Sequence, residues 1–163
     1  MNKAAFYLCF FVLLYIGETH AQIPKNGIRL MRVIDMTKLM NLEIDDATIY
    51  LTEFNYDLVK TEGFIDYENC LCFRQSIIGK MSPQIIICSS QLRVNKIYYL
   101  VSDISLRKLL NDNIKEMNLK KSDVTSSDKG IVTHYSGKSF TYEKTEFINK
   151  YDKQQVNFTI LLK

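Results

Sequence analysis

The pattern of apolar and polar positions begins with an apolar leader. Residues 4–16 carry no charge and directly follow Lys3. This run is too short to cross a bilayer, which takes about 20 apolar residues. A polar break and the small residue Ala21 come next, as at a signal-peptidase site. The pattern predicts a secretory signal peptide over residues 1–21 and a single globular domain over 22–163; an uncleaved anchor or an N-terminal core helix is the alternative.

The rest of the chain is a series of short runs rich in Ile, Tyr, Phe, Val and Thr, which are typical of β-strands. These runs cover residues 48–52, 56–67, 69–78, 84–89, 97–101, 131–135, 139–144 and 156–162. Ser136-Gly137 favours a hairpin between two of them. Residues 122–130 form the most polar window and predict a loop, and residues 30–40 fit either a short helix or an entering strand.

One stretch has the spacing of an amphipathic helix. Asp103 is a suitable N-cap, and the apolar residues that follow repeat at intervals of three and four up to Lys120-Lys121. The pattern predicts a helix over about 103–121. Strands in succession with a single helix favour an α+β fold, mainly an antiparallel curved sheet or incomplete barrel of about 7–9 strands with this helix packed on it.

The cysteines limit the covalent framework. Four are present in the 163 residues, and Cys9 leaves with the signal peptide. An odd number remains, so at most one intramolecular bridge can form. Pairing the strands about the turn at 79–83 places Cys88 diagonal to Cys72, which predicts a Cys72–Cys88 disulfide with Cys70 as the free thiol. Cys70–Cys88 and three reduced thiols are the alternatives.

Candidate catalytic chemistry is sparse. His134 is the only histidine outside the leader, and Ser-His-Asp or Cys-His catalysis would have to use it. No G-x-S-x-G sequence is present, and the cysteine spacing fits no common structural zinc site. Acidic residues at 45, 46, 53, 57, 62, 66 and 68 could supply a glycosidase-like carboxylate pair, but this density is also typical of a solvated edge. We expect no catalytic residue, metal or cofactor.

Tyrosines are the most frequent candidate binding residues. Tyr98, Tyr99, Tyr135 and Tyr142 lie in predicted strands, and exposed tyrosine on a sheet often forms a recognition surface. Adjacent Tyr98 and Tyr99 must point to opposite faces of a strand, so one of them belongs to the core. Simple β-propensity is the alternative explanation for all four. Asn157 begins an Asn-Phe-Thr glycosylation sequon, whose use depends on the host.

Charge gives little indication of a partner. The formal net charge is +3, with basic and acidic residues interspersed. The nearest approach to a basic cluster is Lys115 with Lys120 and Lys121, so we expect no nucleic-acid surface. We expect no transmembrane segment after signal cleavage, and either a monomer or a thiol-linked dimer.

These observations favour a small exported, non-catalytic interaction module of unknown partner. A carrier for a small apolar ligand in the sheet concavity is the alternative, and a carboxylate-based hydrolase comes third. The segment 22–27, Gln-Ile-Pro-Lys-Asn-Gly, resembles the mature opening of many small exported proteins of Bacteroidetes-type bacteria. That resemblance implies a secreted or periplasmic location and nothing about function.

Overall fold

A computed structural model describes residues 31–59, 69–75, 82–127, 130–148 and 154–163. The predicted leader, much of the predicted runs at 56–67 and 69–78, and most of the turn at 79–83 lie outside these ranges. The described residues all belong to one compact unit that begins at Met31.

Eight strands form one open antiparallel sheet, with three helices among the described residues. In chain order the elements are α1 (Val33–Leu39), α2 (Ile44–Glu53), β1 (Tyr56–Leu58), β2 (Cys70–Gln75), β3 (Gln84–Ser90), β4 (Arg93–Val101), α3 (Ile104–Glu116), β5 (Lys120–Ser127), β6 (Gly130–Ser136), β7 (Phe140–Ile148) and β8 (Gln154–Leu162). The strand order is β1-β2-β3-β4-β8-β7-β6-β5. The predicted α+β class and strand number are confirmed, and the helix count is higher than expected.

The C-terminal strand β8 lies at the centre of the sheet, between β4 and β7. Val156, Phe158 and Ile160 point to one face and are buried, in line with their alternation in the sequence. Their cross-strand neighbours Ile97 and Tyr99 are buried on the same face. The last residues of the chain therefore hold the two parts of the sheet together.

The helices cover this buried face. Gln75 of β2 donates a 2.8 Å hydrogen bond from Nε2 to the Phe54 carbonyl at the end of α2. Leu106, Leu110 and Ile114 form the buried stripe of α3. We call the face that carries the buried Phe158 and Tyr99 the core face of the sheet, and the other the opposite face.

The helix α2 replaces a predicted strand. Four of the five residues at 48–52 are β-branched or aromatic, and these led to the wrong interpretation. Ala47, Leu51 and Phe54 are buried at helical spacing, and Asp45 in the first turn favours the positive end of the helix dipole. The 3.6-residue periodicity outweighs the β-propensity of the intervening side chains.

The predicted helix over 103–121 is shorter in the structure. Asp103 caps it as expected, since its carboxylate accepts the backbone N–H of Ser105 at 2.8 Å. Asn118 has a positive φ of 50°, which ends the helix in the left-handed conformation. Lys120 and Lys121 consequently begin β5, and most of the window predicted as a loop is an edge strand.

The disulfide prediction was wrong. The bridge joins Cys70 and Cys88, which lie directly opposite each other in β2 and β3, and Cys72 is a free, buried cysteine. The strands pair Arg74 with Gln84, whereas the expected pairing placed Cys88 opposite Arg74. This register puts Cys72 opposite Ile86. Cys70 is therefore not the free thiol, and the buried position of Cys72 does not favour a thiol-linked dimer.

Candidate functional site

An open cleft of about 610 Å³ lies between the C-terminal half of α3 and the sheet. Its lining comes from Asn111, Ile114, Lys115, Asn118, Leu119, Tyr135 and Lys144. The α3 residues recur at three- and four-residue spacing, which places them along one side of the helix. Tyr135 of β6 and Lys144 of β7 belong to the core face, so their side chains point from the sheet toward the helix.

The core face continues from the cleft across the last strands of the sheet, and none of the described helices covers its outer part. We call this region the wing: β5, β6 and residues 144–148 of β7. Val124, Ile131 and Ile148 point from the wing to the same side as Lys144, by the pairing of the three strands. They are 46%, 50% and 70% exposed. The wing therefore presents three aliphatic side chains to solvent next to the cleft.

Lys144 is the most enclosed charge at the cleft. Its side chain is only 12% exposed, and its Nζ lies 3.3 Å from a carboxylate oxygen of Glu146. The same Nζ donates a hydrogen bond to Asn111 Oδ1 at 3.1 Å. These contacts tie β7 to α3 and fix the ammonium group at the cleft wall.

Tyr135 supplies an aromatic ring and a hydroxyl to the same cleft. It is half-buried, and this burial, followed by the nearby Glu146 carboxylate, raises its pKa above 10.0. The hydroxyl therefore stays protonated at neutral pH and can both donate and accept a hydrogen bond. The cleft combines one aromatic side chain with two lysines and two asparagines, which offer several hydrogen-bond donors.

The four tyrosines predicted as a recognition surface do not lie together. Tyr99 and Tyr142 are core residues, 2% and 3% exposed, and cannot contact a partner in the folded protein. Tyr98 lies on the opposite face of the sheet, where Lys96 Nζ sits 4.6 Å from its ring centroid. Only Tyr135 lines the cleft.

His134 lies on that opposite face, away from the cleft. Its Nδ1 is 3.5 Å from a carboxylate oxygen of Glu143. The strand pairing places Glu143 on one side of it and Asp123 on the other. Two carboxylates can orient an imidazole. Nucleophilic catalysis also needs a Ser hydroxyl or a Cys thiol for the imidazole to activate, which carboxylates do not supply.

The other groups considered for chemistry are also separated. Asp45 and Asp46 are exposed in the first turn of α2, and Glu53 is exposed at its last residue. Asp57 is exposed in β1, while residues 62, 66 and 68 lie outside the described part.

Burial raises the pKa of the Cys72 thiol, although Arg74 acts in the opposite direction. Within the described ranges no group of three or more His, Cys, Asp or Glu could hold a metal ion.

Sequence reasoning missed most of the cleft. Asn111, Asn118 and Lys144 have no distinctive sequence context, and they come together only through the packing of α3 on β7. Lys115 could have been found, because it belongs to the nearest approach to a basic cluster in the sequence. The second lysine that lines the cleft is Lys144, and not Lys120, which is closer to Lys115 in the sequence.

No helix within the described ranges is long and apolar enough to span a membrane. No protein-family model, curated protein or solved structure matches this chain.

Proposed function

We propose that this protein is a small exported interaction module that binds a partner through the wing and the cleft beside it. The observation that carries the proposal is the uncovered part of the core face, where Val124, Ile131 and Ile148 are exposed on one side of the sheet. Single exposed aliphatic residues are common on protein surfaces. Several on one face, bordered by a cleft with an aromatic ring, are typical of binding surfaces.

Export fits the covalent structure. The apolar leader supports secretion or delivery to the periplasm, and the intramolecular Cys70–Cys88 bridge is typical of proteins that fold in an oxidising compartment. Binding outside the reducing cytoplasm would leave this bridge intact during function.

The cleft volume supports a second candidate, a carrier for a small ligand. About 610 Å³ is within the range of small-molecule sites. However, an apolar ligand would contact Lys115, Lys144 and two asparagines in this cleft, and their polar groups would lose water without new hydrogen bonds. The lining therefore favours the interaction module over the apolar carrier.

The wing proposal is tested by affinity capture from the fluid into which the protein is secreted. The wild type is compared with Ile131→Asp/Ile148→Asp, which places two charges on the wing, and with the control Ile49→Asp. Ile49 is 61% exposed on α2, so the control changes an equally exposed aliphatic residue elsewhere. We expect a species that the wild type and the control retain and the wing variant loses.

Equal retention by all three proteins would refute the wing as the binding surface. Native mass spectrometry of the purified protein distinguishes the carrier. A copurified apolar molecule that resists dilution and is absent from a variant with a blocked cleft, such as Leu119→Arg, would favour the carrier instead.

A further inference from the structure

Cations from separate elements converge at the cleft. Lys115 comes from the last turn of α3, and Lys144 comes from β7. Lys121 of β5 is the cross-strand neighbour of Tyr135 and points to the same face. Lys115 and Lys121 are near each other in sequence, whereas Lys144 is distant and is brought to Lys115 by the packing of α3 on the sheet.

The carboxylates near the cleft do not belong to its lining. Glu146 pairs with Lys144, and Glu116 lies at the end of α3, where it accepts a 3.4 Å hydrogen bond from Asn113. The negative end of the α3 dipole also faces this region, and Lys115 in the last turn offsets it. Of the residues that line the cleft, two are lysines and none is acidic.

Lys144 also retains hydrogen-bonding capacity. An ammonium group has three N–H donors. Asn111 and Glu146 account for two of them among the described residues. Because Lys144 lines the cleft and its third N–H has no partner among the described residues, a group that enters the cleft can accept a hydrogen bond from it.

An apolar surface adjoins this donor. Val124, Thr133 and Lys144 lie opposite one another on three adjacent strands, so one row of side chains leads from the cleft to the exposed aliphatic residues of the wing. Adjacent positions across strands are about 5 Å apart. A single short peptide can therefore contact both the ammonium group and the aliphatic side chains.

Building on the proposed function, we propose that the partner contributes an acidic peptide segment: an Asp or Glu carboxylate enters the cleft between Lys115 and Lys144, and neighbouring aliphatic side chains lie on the wing. The Tyr135 hydroxyl, which lines the same cleft, adds a neutral donor for this carboxylate. Because one row of side chains joins Lys144 to Val124, the acidic residue and the aliphatic residues should be close together in the peptide.

A displayed library of random peptides tests this inference with the full exported chain as the target. We expect enriched peptides to contain Asp or Glu next to Val, Ile or Leu. Binding of an enriched peptide should weaken about tenfold with Lys115→Glu and with Lys144→Met, because each change removes a cation from the cleft. The control Lys108→Glu makes the same charge change on an exposed residue of α3 outside the cleft lining. It should change the affinity less than about twofold.

The outcomes separate this inference from the proposed function. Peptides that lose affinity with Ile131→Asp/Ile148→Asp but show no preference for acidic residues would overturn the carboxylate site and keep the wing as a binding surface. Equal weakening by Lys108→Glu and Lys115→Glu would show a general charge effect and also overturn the site. Failure to enrich any peptide that depends on the wing would count against both proposals. Far-UV circular dichroism of each variant confirms that it is folded.

Discussion

The part of the sheet beneath the helices and the wing share the same antiparallel hydrogen bonding but differ in what covers them. One row of side chains across six strands shows the change: Ile85, Tyr99, Phe158, Lys144, Thr133 and Val124. The first three are fully or almost fully buried, whereas Val124 is nearly half exposed. The helix-covered part buries its side chains in the core, and the wing exposes aliphatic side chains to solvent.

The sharpest test of this contrast compares one aromatic and one aliphatic truncation. Phe158 is fully buried and stacks on Tyr142 with ring centroids 6.0 Å apart. We expect Phe158→Ala to lower the free energy of unfolding by about 3–5 kcal/mol. We expect Ile148→Ala, at the exposed end of the wing, to change it by less than about 0.5 kcal/mol. Urea denaturation of both variants measures the difference, and similar losses would contradict the division of the sheet.

The disulfide gives the next largest expected effect. It closes a loop with a sequence separation of 18 residues in the helix-covered part. Replacing both bridge cysteines, Cys70→Ser/Cys88→Ser, should lower the free energy of unfolding by about 3 kcal/mol, because the unfolded chain regains the entropy of that loop. Urea denaturation measures this loss as well.

The matching control is Cys72→Ala, which removes the third thiol and should leave the bridge intact. Peptide mapping without reduction should find Cys70 linked to Cys88 in both the wild type and this control. A Cys72–Cys88 link in the wild type would contradict the strand pairing described above.

The two regions should also differ, by a smaller amount, in how much alkaline pH lowers the free energy of unfolding. Burial raises the pKa of Tyr99 in the helix-covered part from 10.0 to about 12. Above pH 10 the unfolded tyrosine loses its proton while the folded one keeps it, so stability should fall by up to about 1.4 kcal/mol per pH unit until about pH 12. The contribution is fully present below pH 10. Tyr135 in the wing, whose pKa is also raised, should contribute less because it is only half-buried.

Urea denaturation at pH 8 and pH 11 measures this dependence. Tyr99→Phe should reduce the loss of stability between the two pH values, and Tyr135→Phe should reduce it less. Lysine titration affects all the proteins alike and cancels in the comparison. An equal effect of the two substitutions would show that the wing is as well shielded from water as the core.

Several elements were predictable because their local pattern and their tertiary environment agree. The strict alternation at 156–162 fits a strand with one buried face, and the Asp103 cap with its apolar stripe fits α3. The hairpin around Ser136-Gly137 is confirmed as well. In each case, side chains needed for the core recur at the period of the element that buries them.

Other elements were mispredicted because burial depends on neighbours that the local sequence does not name. The residues at 48–52 have high β-propensity, yet Ala47, Leu51 and Phe54 bury a helical stripe. Residues 120–127 are polar and still form a strand, because an edge strand needs only one hydrogen-bonded neighbour and can expose both faces. The pairing of Cys70 with Cys88 depended on a register that residue spacing alone did not determine.

The sequence by itself determined the α+β class, the approximate strand number, the position of α3 and the scarcity of histidine and cysteine chemistry, since these follow from periodicity and composition. The tertiary structure decided which cysteine stays unpaired, that Tyr99 and Tyr142 are buried, and that Lys115 and Lys144 line the same cleft. Those features depend on strand order and register, which bring together residues far apart in the chain. The proposed binding surface exists because α3 ends before it covers the last strands of the sheet.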